Sequence, residues 1–295
     1  MRPRDRALPI RQNPQALPSS MALRTEPQLS PEELAFRAAV SSLPRQRGIV
    51  RPGPVTPKIV SSAHGPISHL LLTYPSYADG AYSYRGVYAD LFRQMPPFTR
   101  FTVLSHPDVI EELQEILREA DAEERTTIVE APAYLQFLVW AEDPYVVVHD
   151  VAADPATIFL VEPYVFPRVG DAAIPDLVAD ATEIQSIQSP LYFQGGNILI
   201  GDDFVLIGSD YPANTVQHIN DSGQIIVPPG VDVGEFVNAL YQRTFDADRD
   251  VIHAGTKLIV PQAERREITV DGEPWQEIVY LGTGRAQPIF HIDMF

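Results

Sequence analysis

From residue 67 onward the chain alternates between short apolar runs and stretches whose apolar residues recur every three or four positions. The runs predict strands and the periodic stretches predict amphipathic helices. Side chains alternate faces along a strand and repeat about every 3.6 residues along a helix. His69-Leu70-Leu71-Leu72-Thr73 predicts a buried strand, and Tyr84, Val87, Tyr88, Leu91, Phe92 and Met95 then fall at helical spacing until Pro96-Pro97 stops the helix. Phe101 to Leu104 predicts a second strand. Ser105 is placed to cap the next helix, with Asp108 at its third position and Val109, Leu113, Ile116 and Leu117 on its buried face.

Further strands are predicted at Thr127–Val129, Tyr145–Val148 and Thr157–Val161. Ile198–Ile200 and Phe204–Ile207 flank Gly201-Asp202-Asp203, which reads as a hairpin with a three-residue loop. Asp232, followed three residues on by Glu235, is placed to cap a helix with Phe236, Val237, Leu240 and Tyr241 on its apolar side. Strands return at Lys257–Val260, at Glu277–Leu281 and from Ile289 onward. The alternation predicts an α/β or α+β fold, its strands too short and too often hairpinned for a doubly wound sheet. No internal repeat is legible in the residues themselves.

Residues 1–60 read differently, as a Pro- and Arg-rich, largely disordered leader with one short helix. They hold ten of the 28 prolines, and the helix opens at Ser30-Pro31-Glu32-Glu33, where Ser30 caps and Glu33 completes a capping box. The main fold is expected over residues 61–295. Charge divides the same way. The leader carries ten basic and four acidic residues, a net +6, so the remainder holds −23 of a total of −17. A body this acidic repels nucleic-acid phosphates and attracts small cations, although an acidic surface also serves solubility alone.

The chain has no cysteine, which excludes disulfides, thiolate metal sites and a cysteine nucleophile within these 295 residues. That usage is compatible with a reducing, cytoplasmic setting. No stretch approaches the roughly 18 consecutive apolar residues of a membrane span. Gly282-Thr283-Gly284 lacks the third glycine of a dinucleotide loop, and no lysine follows a glycine-rich turn. The seven histidines lack the paired spacing of a zinc helix. No cofactor or metal is expected.

Three segments put polar groups at the ends of apolar strands. Trp140-Ala141-Glu142-Asp143-Pro144 precedes Tyr145–Val148, and a carboxylate fixed at a strand start can hold a cation with both oxygens; a solvated Asp-Pro turn is the plainer alternative. Phe193-Gln194-Gly195-Gly196-Asn197 precedes Ile198–Ile200, where paired glycines let backbone approach a ligand or simply form a bulge. Phe290-His291-Ile292-Asp293 puts His291 and Asp293 on one strand face, suited to proton transfer or to a structural hydrogen bond.

Taken together, from about residue 67 to 295, the three segments resemble the guanidino-group-modifying superfamily of arginine and agmatine deiminases, dimethylarginine hydrolases and amidinotransferases. The resemblance implies the pentein fold, an α/β propeller of pseudo-fivefold ββαβ modules, here with its last blade incomplete. It implies that His291, Asp293 and Asp143 are the catalytic set, Asp143 gripping the cation, and that Glu142 and the Gln194-Gly195-Gly196-Asn197 loop bind a small cationic guanidino substrate. A guanidinium is a planar cation with five donors, so carboxylates at its edges give paired, charge-assisted hydrogen bonds. In such enzymes a thiolate attacks the central carbon, and histidine protonates the departing amine and later activates water.

Two departures qualify the resemblance. Gln194 stands where the family has an acidic residue, a loss of about 1–2 kcal/mol of binding. The late cysteine is missing, and the chain reads as a truncated deiminase- or amidinotransferase-like enzyme. The alternative is a non-catalytic pentein or half of a split protein. No nucleic-acid or membrane partner is expected, and a homo-oligomer is compatible with the resemblance.

Overall fold

The computed structural model describes residues 10–13, 53–61, 65–79, 84–153, 155–164, 166, 168–222, 226–254, 261–270 and 273–283. They belong to two units. The smaller is a sheet in which β1 (Ile10–Asn13) runs parallel to β13 (Glu273–Thr283), and β13 pairs antiparallel with β12 (Pro261–Val270). The short helix expected from Ser30, the strands expected at 257–260 and from 289, and both His291 and Asp293 lie outside the described residues.

The larger unit holds three sheets. In the first, β3 (His69–Tyr74), β4 (Arg100–Ser105) and β5 (Thr126–Glu130) are all parallel, joined by α1 (Arg85–Gln94) and α2 (Ile110–Glu119). The second runs β2 (Pro57–Ile59), β6 (Val146–Asp150), β7 (Thr157–Glu162), β8 (Gln185–Gln188), with α3 (Val169–Ala172) and α4 (Ile174–Ala181) between β7 and β8. The third contains β9 (Ile198–Ile200), β10 (Phe204–Gly208) and β11 (Asp250–Ala254), with α5 (Asp210–Ser222) and α6 (Val233–Phe245) before β11.

The second and third sheets repeat one plan. In each, an antiparallel hairpin (β6–β7, β9–β10) is followed by a helical crossover to a third strand that lies parallel beside the second. Among the described residues this ββαβ module therefore occurs twice, whereas the first sheet is a βαβαβ unit. The architecture is mixed α/β. The stretch expected to be a leader supplies β1 and β2, and β2 pairs with β6 through Pro57↔Asp150 to Ile59↔Val148.

Apolar residues on both faces explain why these strands read as continuous apolar runs rather than alternating ones. Tyr74, Phe92, Phe101, Leu113 and Ile116 pack α1 and α2 against one face of the first sheet. Leu104 and Val129 on its other face share a core with Leu160, Ile174 and Val178. Val148, Phe159 and Val161 then pack with Val205, Ile207, Val237, Tyr241 and Phe245. Each fully buried Leu, Ile or Phe contributes about 1.5–3 kcal/mol. Strand β3 is only half-buried over its first four residues because it is an edge strand.

Local signals are met with one correction. Asp232 Oδ1 accepts from the N–H groups of Gly234 and Glu235 at 2.8 and 3.1 Å, capping α6. The hairpin closes through Gly201 N–H to Phe204 O at 2.9 Å. Ser105, however, is no cap: its hydroxyl donates to Tyr74 O at 3.0 Å, and Pro107 opens a short 3-10 turn ahead of α2. Buried at a strand end, the hydroxyl finds a neighbouring carbonyl before it finds the helix. Among the described residues no helix is long and apolar enough to cross a membrane.

Candidate functional site

The segment 131–145 runs from β5 to β6 and is held at several points along its length. Thr73 Oγ1 donates to Leu138 O at 2.7 Å, and Leu138 N–H donates to Asp171 Oδ1 at 2.7 Å. Val139 N–H donates to the Tyr77 hydroxyl at 3.0 Å. His106 is buried and stacks on Phe137 at 4.2 Å. Its Nδ1 accepts from Ser76 N–H at 2.9 Å, which leaves the proton on Nε2 to donate to Leu135 O at 2.5 Å. Gly170 in α3 meets the same segment so closely that a Cβ there would lie 1.6 Å from Gln136 O.

Asp143 and the Gly-Gly loop occupy corresponding places, each just ahead of the first strand of a ββαβ module. The structure brings them together. Gly195 N–H donates to Asp143 O at 2.9 Å, and a Cβ on Gly195 would stand 2.2 Å from Glu142 O and 2.6 Å from Tyr145 O. Only glycine permits that approach. Gln194, Gly195, Gly196 and Asn197 are all buried, with Gly195–Asn197 forming a short 3-10 turn closed by Asn197 N–H to Gln194 O at 2.9 Å. Of the acidic pair, Glu142 is exposed and Asp143 buried, so Asp143 is the inward carboxylate.

The Asp143 carboxylate already holds a guanidinium. Arg168 donates from Nη2 to Asp143 Oδ2 and from Nε to Asp171 Oδ2, and its guanidinium carbon lies 5.0 Å from the Phe166 ring centre. Burial works against the Arg168 charge, but its hydrogen bonds to Asp143 and Asp171 outweigh burial and raise its pKa. Burial pushes the Asp171 carboxyl above its ordinary value, with Arg168 and the Leu138 N–H pulling the other way. Tyr77 is also raised, chiefly by burial.

Arg168, Asp171 and His106 are the functional candidates that the sequence reading did not single out. Glu162 joins them. It is buried at the end of β7, and the register Val146↔Val161 puts it opposite Tyr145, two residues from Asp143. One local signal marks the first pair: Arg168 and Asp171 are spaced i,i+3 across the start of a helix, where such side chains meet. The predicted His291 and Asp293 fall outside the described residues, so this site is built from Asp143, Arg168, Asp171 and the 194–197 loop.

A cavity of about 1740 Å³ lies at the opposite strand ends, lined by His69, Arg100, Thr126, Thr157 and Gln185. Among the described residues no three His, Asp or Glu side chains are grouped to hold a metal ion.

No family model and no curated protein matches the chain. Among solved structures, one provisionally described as an agmatine deiminase superposes with a TM-score of 0.48 and 12% identity, over 68% of this chain and 56% of that one. The agmatine deiminase of C. jejuni superposes with a TM-score of 0.41 and 10% identity, over 74% of this chain and 76% of that one. The matched part thus spans just over half the length of the first of these proteins.

Proposed function

We propose that this chain binds a small guanidino cation through Asp143 and the Gln194–Asn197 loop, in a fold of pentein type, and serves C–N bond chemistry of the deiminase or amidinotransferase class. The observation that carries this reading is the hydrogen bond from Gly195 N–H to Asp143 O, by which two segments far apart in sequence form one buried site. A carboxylate at a strand start and a glycine-rich turn are each ordinary features alone. Joined at corresponding positions of two like modules, they give a cation both a charge and a close-fitting backbone wall.

The fivefold arrangement of modules belongs to this proposal, as do the roles of His291 and Asp293 as the proton-transferring pair. Attack on the guanidinium carbon needs a nucleophile, and these 295 residues contain no thiol. That absence, with the neutral Gln194 in the loop, favours a second reading: a pentein-like protein that binds the cation without turning it over.

Both readings require binding, and calorimetric titration with agmatine and with arginine tests it. Asp143→Asn is expected to weaken the affinity at least ten-fold, because it removes one full charge from a charge-assisted pair. Equal measurable affinity in the wild type and the variant rejects the assignment. Release of ammonia or formation of a ureido product then separates enzyme from binder.

A further inference from the structure

We infer that Arg168 is an internal occupant of the guanidinium site, a side chain that fills the place of the substrate cation and must leave before a ligand binds. The inference rests on the reading of Asp143 as the cation-binding carboxylate. The charge that Asp143 offers is already met by a guanidinium of the protein's own, in the side-on manner that a guanidino ligand would use: one edge nitrogen on Asp143 and another on Asp171. Asp171 is 1% exposed and Asp143 is 7% exposed, so both carboxylates are buried while Arg168 lies between them.

Arg168 differs from its two partners in being able to leave. Its side chain keeps 28% of its surface, against 1% for that of Asp171 and 10% for that of Asp143. Asp171 is fixed independently, because its other oxygen accepts from Leu138 N–H and its helix is locked by the contact between Gly170 and Gln136. Asp143 is fixed by the Gly195 N–H on its backbone. Two anchored carboxylates with one removable cation form a competition rather than a permanent pair. The wild-type site is ligand-ready only in the fraction of molecules whose Arg168 has swung out, and measured affinity falls by that fraction. The same arrangement keeps two buried carboxylates compensated while no ligand is bound.

Titration of the full chain and of Arg168→Gln with guanidinium chloride and agmatine, with tetramethylammonium as a control cation, tests the inference. Arg168→Gln is expected to bind guanidinium and agmatine at least ten-fold more tightly than the wild type, with a much smaller gain for tetramethylammonium, which lacks the N–H donors. Adding Asp143→Asn to that variant is expected to abolish the gain. Equal gains for all three cations would mean that only the general field changed, and would overturn the inference. So would an Arg168→Gln protein that binds no tighter than a wild type whose binding is lost in Asp143→Asn; there the site reading survives and internal occupancy does not. Absence of binding in every variant overturns both. If Arg168→Gln does not fold, Arg168→Lys serves instead: the compact ammonium keeps the charge but cannot span both carboxylates, so a smaller gain in the same order is expected, and no gain overturns the inference.

Discussion

Gly195→Ala tests the geometry of the site most directly. The added methyl would stand 2.2 Å from Glu142 O and 2.6 Å from Tyr145 O. Both contacts are backbone carbonyls, so no rotamer change relieves them and one of the two segments must move. Overpacking of that kind costs about 1–3 kcal/mol. Moving the loop also stretches or breaks the Gly195 N–H to Asp143 O bond, worth about 1 kcal/mol. Against this, alanine restricts the unfolded chain and returns about 0.4–1 kcal/mol. The net expectation is a loss of about 1–3 kcal/mol. Urea unfolding followed by circular dichroism measures it, with Gly86→Ala as the internal comparison. Gly86 lies in the first turn of α1, and an added methyl there would meet nothing within 4 Å, so alanine is expected to stabilise by about 0.5 kcal/mol. A Gly195→Ala protein as stable as the wild type would refute the close packing of the loop on the Asp143 segment.

Gly170→Ala is expected to cost more than Gly195→Ala in the same assay, since its methyl would fall 1.6 Å from Gln136 O and would force α3 off the segment that carries Asp143. Tyr241→Phe is expected to lose about 1–2 kcal/mol, because its buried hydroxyl donates to Tyr192 O and shares a 3.0 Å hydrogen bond with Thr215; an unchanged urea midpoint would contradict that. Asp150 accepts from the N–H groups of Val55, Thr56 and Ala152, and the first two chiefly hold its carboxyl below the ordinary value of 3.8. A depressed folded-state pKa contributes stability above the unfolded value that is lost as pH falls through the folded one. The stability difference between the wild type and Asp150→Asn should therefore be constant near neutral pH and shrink as the pH drops below about 4. A difference that grows on acidification would show that the bonds from Val55 and Thr56 are not what Asp150 supplies.

Strands β4, β6 and β7 were legible because their apolar residues, such as Val103-Leu104, Val146 to Val148 and Phe159 to Val161, follow one another without interruption. Helix α6 was legible from its Asp232 cap and the apolar positions behind it. Helices α4 and α5 share one feature that their sequences hide: each carries a proline, Pro175 and Pro212, in its first turn, where a missing N–H costs nothing. Strand β8, Gln185-Ser186-Ile187-Gln188, carries little strand propensity and is defined by its parallel pairing with β7. The repeat of ββαβ modules was invisible because topology repeats here while side chains do not.

The candidate site divides along the same line between local and non-local causes. Asp143 is recognisable in the sequence because the start of a strand is a local event, and a carboxylate there is a local fact. Its charge partner is not. Twenty-five residues separate Asp143 from Arg168, and the i,i+3 spacing of Arg168 to Asp171 says nothing of Asp143; Arg125, by contrast, spends its guanidinium on the carbonyls of Pro96 and Thr99. What selects Arg168 is the crossover after β7: α3 must begin where Gly170 can lie against Gln136, and that contact delivers both Asp171 and Arg168 to the segment leading into Asp143. The glycine that fixes the helix start therefore also decides which cation the buried carboxylates meet. A substitution at Gly170 should consequently alter guanidinium affinity along with stability, while one at Gly86 should alter stability alone.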